Sequence, residues 1–207
     1  MKKFYERYWD GTPAELADFR IKWPVLSPFI PLDNNIKILD YGCGKGKILA
    51  GIHKINPHAQ LYGADISRIA LESASKTVPE AKFLLIDDNQ TVPLPSNSID
   101  FVVSLDVIEH IYDTEMVFHE FNRLLKPGGA LLLSAPYYGL IKNIVIAIVG
   151  FEAVYNPTTP HIRSYTKNTL IRITQRFGFK PIEFGRYGRF YPVNNGMYLL
   201  AEKVTNI

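Results

Sequence analysis

The amino-acid sequence predicts an α/β fold, a doubly wound and mostly parallel sheet with helices on both faces. Three observations predict it. Short apolar runs alternate with amphipathic helical patterns from Ile36 to Ala135. The first run, through Ile38 and Leu39, feeds a glycine-rich turn at Gly42-Cys43-Gly44-Lys45-Gly46 that opens onto a helix. The next three runs close on Asp65, Asp87-Asp88 and Asp106, at the strand ends where open parallel sheets take their ligands.

A chain of 207 residues suits one domain, 1–207, with a full core. The 47% hydrophobic and 21% charged shares are ordinary for a globular protein, and a net charge of +3 makes no case for nucleic acid. Cys43 is the only cysteine, so no intrachain disulfide forms, which fits a reducing cytoplasm. No apolar signal core follows Met1-Lys2-Lys3, and the longest apolar run, Ile144 to Phe151, is far too short to span a bilayer. The expectation is a cytoplasmic protein with no transmembrane segment.

Residues Lys3 to Ile21 read as one or two helices that cluster Tyr5, Tyr8 and Trp9. Pro24, Pro28 and Pro31 should break that pattern. Residues 1–31 then form either a helix packed on the core or a lid over a ligand. Lys47 to Asn56 reads as a helix, Ala59 to Ala64 as a strand, and Ser67 as the cap of a helix reaching about Thr77. Ala81 to Ile86 and Ile99 to Leu105 read as strands around a loop holding Pro93 and Pro95. Val117, Phe118, Phe121, Leu124 and Leu125 mark one helical face, which Lys126-Pro127-Gly128-Gly129 should stop before a strand at Ala130 to Ala135. Pro136 to Pro160 interrupts the alternation, with a nearly uncharged helix over Leu140 to Tyr155. Thr166 to Phe177 reads as a helix closed by Gly178, and Pro181 to Phe184 and Met197 to Val204 as the final strands.

The strand-end carboxylates suggest the chemistry. Asp65, about 20 residues beyond the glycine turn, is placed to accept two ribose hydroxyls, and Asp88 to accept from a purine amine. The alternative is that each caps the segment after it. The glycine spacing is Gly42-x-Gly44-x-Gly46 with Lys47 where a dinucleotide fingerprint has its third glycine, and Ile48 stands where a phosphate loop has Ser or Thr. A ligand with an adenosine and no pyrophosphate fits this better. Cys43 reads as a small filler in the turn, since nothing in the sequence pairs with it as a nucleophile's base.

These segments resemble the class I S-adenosylmethionine-dependent methyltransferases of the small-molecule type known as methyltransferase type 11. The likeness runs through Leu39 to Gly46, Gly63-Ala64-Asp65, Asp88 with Pro93 to Asp100, Val107-Ile108-Glu109-His110-Ile111 and Leu124 to Gly129, about half the chain in the family's order. The resemblance implies a seven-stranded Rossmann-like sheet with the last strand antiparallel, and S-adenosyl-L-methionine as cofactor. It implies that Gly42, Gly44 and Gly46 face the methionine part, that Asp40 meets its amino group, and that Asp65 with Ile66 meets the ribose. Asp88 and Asn89 would meet the adenine, and Leu105 would lie near the sulfonium.

Methyl transfer from a sulfonium requires alignment of acceptor, methyl and sulfur, and an oxygen or nitrogen acceptor also calls for a base. His110, close after the fourth strand, is the first candidate, with packing of the Asp113 turn as its other reading. His161 is the second, in a His161-Ile162-Arg163 stretch similar to one in quinone-biosynthesis relatives. Tyr137, Tyr138 and Arg163 are the candidate substrate contacts, and residues 137–160 an apolar cap insertion. No metal site is expected. The expected acceptor is a small, partly apolar molecule methylated on O, N or C. Peripheral membrane contact by the greasy 137–155 segment is a weaker expectation. Methylation of RNA or protein is the competing enzyme reading, against which the fourth strand lacks the Asn/Asp-Pro-Pro-Tyr loop of nucleic-acid amine methylation. A cofactor-binding protein without catalysis is the third.

Overall fold

The computed structural model describes residues 2–11, 19–87, 89–154 and 160–206. Seven strands form one sheet: β1 (Lys37–Tyr41), β2 (Gln60–Asp65), β3 (Lys82–Leu85), β4 (Ile99–Leu105), β5 (Leu125–Pro136), β6 (Phe179–Tyr187) and β7 (Gly196–Lys203). Their order is β3-β2-β1-β4-β5-β7-β6. β1 to β5 run parallel, and β7 is antiparallel to both its neighbours, as expected. The chain reverses direction in the sheet beside β1, between β2 and β4, which is where a crevice opens.

The helices are α1 (Lys2–Gly11), α2 (Phe19–Leu26), α3 (Lys47–Ile55), α4 (Arg68–Thr77), α5 (Thr114–Leu124), α6 (Leu140–Val149), α7 (Phe151–Val154) and α8 (Lys167–Arg176). Strand side chains alternate between two cores. Leu39, Val102, Leu131 and Leu133 face α5 and α8, where Phe118, Phe121 and Leu170 lie buried. Ile38, Phe101, Val103 and Leu132 face the other way, onto Leu26 of α2 and Leu49 and Ile52 of α3. Burial on both faces explains why the strands read as continuous apolar runs. Each fully buried large side chain stabilises by about 1.5–3 kcal/mol. The Tyr41 ring meets Phe121 edge-on at 5.0 Å, tying β1 to α5.

The boundaries differ from expectation in three places. α2 contains Pro24; proline lacks the N–H a helix uses there, and the helix outlasts it by two residues before a 3-10 turn at Ser27–Phe29. Lys126-Pro127-Gly128-Gly129 does not separate helix from strand but lies within β5, as the irregular step between the Ile99–Leu125 and Phe101–Ala130 pairings. The long apolar helix is broken at Gly150 into α6 and α7, and Tyr155 lies outside the described residues. The Ser67 cap is as expected, its hydroxyl accepting from the Ala70 N–H at 3.2 Å. No helix among the described residues is long and apolar enough to cross a membrane.

Candidate active site

A cavity of about 330 Å³ opens at the carboxyl ends of β1, β2 and β4. The glycine turn forms its floor. The N–H groups of Gly42 and Cys43 donate to the Ala64 carbonyl at 2.7 and 3.0 Å, strapping the turn onto β2. Gly42 and Gly44 hold φ of +80° and +51°, so both positions favour glycine on backbone grounds. Space requires it as well: a Cβ at Gly42 would stand 2.4 Å from Val107, and one at Gly44 2.6 Å from the Trp9 indole. Cys43 is buried, and burial pushes its thiol well above the ordinary range, so it serves as filler rather than thiolate.

Two carboxylates close the strands. Asp65 is buried and receives the Gly44 N–H on Oδ2 and the Ser67 N–H on Oδ1, each at 2.9 Å. Burial raises its pKa and these backbone bonds oppose the rise. Asp40 is buried too, and its Oδ2 accepts no hydrogen bond. Burial pushes its pKa up to about 8, Asp65 adds to the rise and Lys22 of α2 opposes it.

Asp106, just after β4, holds a left-handed φ of +56°, uncommon outside glycine. It is ion-paired with Lys22 and accepts from the Ser134 hydroxyl at 2.7 Å and the Tyr187 hydroxyl at 3.1 Å. Burial alone would raise its pKa, but Lys22 and these hydrogen bonds outweigh it and the group stays ionised. The network joins α2, β4, β5 and β6 along one wall.

The histidines line the same cavity, within reach of the Asp106 charge. His110 Nδ1 lies 3.0 Å from the Pro160 carbonyl, so Nδ1 holds the proton and donates, and Nε2 keeps its lone pair. The His161 ring sits 4.8 Å away. Burial lowers the pKa of both rings, so both are neutral near pH 7. Glu109, His110 and His161 each bring one ligand atom within 4.8 Å of the others, a spacing that suits a single cation. Glu109 and His110 are neighbours in the chain, and the fold brings the distant His161 to them. Tyr5 reaches the same corner, its ring 6.2 Å from His110.

Of the residues singled out from sequence, Asp40, Gly42, Gly44, Asp65, Ile66, Leu105, His110 and His161 line this one cavity. Others do not. Gly46 lies outside the cavity lining, at the entry of α3, where its φ of +83° favours glycine and a Cβ would meet Ala74 of α4 at 3.2 Å. Asp88 lies outside the described residues. Asn89 is exposed in the turn that Asp87 organises, and Gln90 lines the cavity instead, its carbonyl accepting from the Tyr41 hydroxyl at 3.0 Å. Tyr137 is buried away from the cavity under the Arg186 guanidinium, at 4.9 Å. Tyr138 lies under Lys142 of α6. Arg163 turns to the Tyr112 carbonyl and ring. The strand pleat explains the Tyr137 case, since Pro136 beside it takes the cavity side. Asp106 stands at a strand end the sequence marks, but its partners Lys22 and Tyr187, and separately Gln90 beside Tyr41, reach the cavity through tertiary packing that no local pattern announces.

S-adenosylmethionine fits these residues. The orphaned Asp40 oxygen is buried where a cationic amine would satisfy it. Asp65 retains acceptor capacity on both oxygens beside the glycine turn, as a ribose diol needs.

Comparison with known proteins agrees. Residues 39–133 match the family described as a methyltransferase domain. The chain is 30% identical over 135 residues to a tRNA (carboxymethyluridine(34)-5-O)-methyltransferase of Schizosaccharomyces pombe, covering 63% of this chain and 56% of that one. It therefore spans little more than half the length of that relative. It is 27% identical over 191 residues to a ubiquinone biosynthesis O-methyltransferase of Ralstonia nicotianae, covering 86% of this chain and 77% of that one. Among solved structures it resembles the methyltransferase complexed with the Trm112 methyltransferase activator of Haloferax volcanii, with TM-score 0.77 at 14% identity over 98% of this chain and 96% of that one. This fold, this glycine turn and this matched segment together support a class I S-adenosylmethionine-dependent methyltransferase.

Proposed function

We propose that the chain moves a methyl group to O, N or C of a small, partly apolar acceptor by in-line displacement. The observation that carries this reading is the way α1 lies over the cavity. Glu6 of α1 binds the first turn of α4, Trp9 covers Gly44, and Tyr5 and Tyr8 wall the side where His110 and His161 meet. An aromatic, roofed chamber suits a small molecule better than a nucleic-acid strand or a folded protein. On this reading residues 1–31 act as a lid over the acceptor, while α6 of the 137–160 segment contributes no residue to the cavity lining.

When bound, S-adenosylmethionine supplies an electrophilic methyl on a sulfonium. The chain's own residues do the rest. Asp40 would hold the amino group and Asp65 and Ile66 the ribose, while the glycine turn would let the backbone approach. Leu105 and the roof of α1 exclude water, which favours alignment over side reactions. His110, neutral and donating through Nδ1, keeps Nε2 to take a proton from a hydroxyl or amine acceptor.

The tRNA relative keeps an RNA acceptor as the rival reading. Release of S-adenosylhomocysteine, measured against a panel of phenols, quinols, amines and carboxylic acids and against unmodified tRNA, separates the two. Turnover is expected on a member of the metabolite panel. Turnover on tRNA alone would reject the small acceptor, and cofactor binding without turnover on anything would leave a binding protein.

A further inference from the structure

We propose that the outward face of α6, together with the tip of the β6–β7 hairpin, docks on an anionic phospholipid bilayer. α6 is amphipathic in the reverse sense. Its half-buried residues, Lys142, Asn143 and Ile146, share the arc that faces the protein. Lys142 Nζ donates to the Asn194 carbonyl of the hairpin at 2.8 Å, which fixes that arc inward. The opposite arc is aliphatic and bare: Leu140, Ile148 and Val149 are 77%, 76% and 77% exposed, with Ile141, Ile144 and Val145 between them.

At roughly 100° per residue these six side chains sweep about 180° of the helix circumference. A core-facing stripe spans about 100° or more, so this arc is as broad as one built to be covered. A helix half-sunk in the interfacial layer of a bilayer takes the whole arc. Soluble surfaces rarely leave so continuous an aliphatic face in water.

The hairpin extends the same surface. Phe190 and Tyr191 are 78% and 61% exposed at its tip, and aromatic side chains favour the bilayer interface. Charge selects the lipid. Residues 137–151 and 184–201 contain no Asp or Glu, while they carry Lys142, Arg186 and Arg189; Glu152, Glu183 and Glu202 stand just beyond. Lys142 is tied to the hairpin through the Asn194 carbonyl, and Arg189 is close enough to act on its ammonium, so these two cations stand together where α6 meets the hairpin; Arg186 is stacked on the Tyr137, Phe184 and Tyr191 rings. Such a cluster favours anionic headgroups. Pro136, Tyr187 and Asn195, beside these two elements, line the cavity, so docking would set its rim against the lipid.

The test is co-sedimentation of the intact protein with phosphatidylcholine vesicles, with and without phosphatidylglycerol, in the absence of cofactor and acceptor. It is thus independent of the methyl-transfer reading. Binding to the anionic vesicles is expected, weakened about tenfold or more by Ile148→Glu or by neutral vesicles, and weakened further as salt rises. The exposed Ile148 should change with no shift in melting temperature; Leu140→Ser, at the helix end, serves if that variant misfolds. Absence of vesicle binding, or equal binding by both variants, would overturn the proposal. So would a stable dimer that Ile148→Glu splits without any vesicle binding, since a second copy of the chain would then cover the face.

Discussion

The Glu6 carboxylate accepts from the Ser67 hydroxyl at 2.8 Å, and so ties the first helix of the chain to the end of β2. The same carboxylate takes the Arg68 and Ile69 N–H groups at 2.9 and 3.2 Å, at the positive end of α4. Ser67 in turn donates its N–H to Asp65, which accepts from Gly44. The roof is thereby linked to the carboxylate assigned to the ribose. Glu6→Ala should destabilise by about 1–2 kcal/mol, the worth of a helix cap with its charge. Urea denaturation reads the loss, and weaker cofactor binding should accompany it. Unchanged stability would mean that α1 does not dock on α4 in solution.

Asp40 makes the site sensitive to pH. Its folded-state pKa, about 8, lies above its ordinary 3.8, so the stability it contributes is complete below about 3.8 and is lost as pH rises through about 8. A bound ammonium group reverses the balance, because it needs the ionised form. Cofactor binding near pH 7 should therefore release a proton, and affinity should rise with pH toward about 8, above which loss of the cofactor's own amine proton opposes it. Calorimetry in buffers of different ionisation enthalpy measures the release. Asp40→Asn should abolish it and weaken binding.

The ends of the strands were the most legible part of the chain. The run from Ile38 to Leu39, the three glycines and Asp65 are contiguous in sequence, and their chemistry follows from local backbone needs. β4 coincides with the expected span from Ile99 to Leu105 because both of its faces are buried. The acceptor side was less legible. Whether Tyr137 or Pro136 faced the cavity turned on a one-residue phase in the pleat, which only pairing with β7 fixes. The Lys22–Asp106 pair joins an N-terminal helix to the fourth strand, and no local pattern announces such a contact. Gly46 lies outside the cavity lining, and its demand for glycine comes from its φ of +83° and from Ala74 of α4 behind it.

The Trp9 indole and Gly44 occupy one another's space. A methyl at Gly44 would stand 2.6 Å from the ring, on a backbone already at φ +51°. Gly44→Ala should lift α1 from the turn and strain it, weakening cofactor binding at least tenfold, or about 1.4 kcal/mol. Trp9→Ala should weaken binding less, because the turn itself remains intact. Titration calorimetry ranks the two, and the reverse order would show that the indole, and not the turn, carries the contact.

His110 sets the last prediction, which concerns rate rather than binding. Burial holds its pKa below the ordinary 6.5, the Pro160 carbonyl opposes that shift, and His161 adds to it when charged. A base works deprotonated, so turnover on a hydroxyl or amine acceptor should fall as pH drops through this pKa, with its acid limb below pH 6.5. Replacing His161 by asparagine removes one source of positive charge and should move that limb upward. His110→Ala should cost about 10²–10⁴ in turnover while leaving cofactor affinity unchanged, the range for loss of a general base. Full turnover in that variant, or a limb that His161→Asn does not move, would assign the two rings to shaping the chamber rather than to proton transfer.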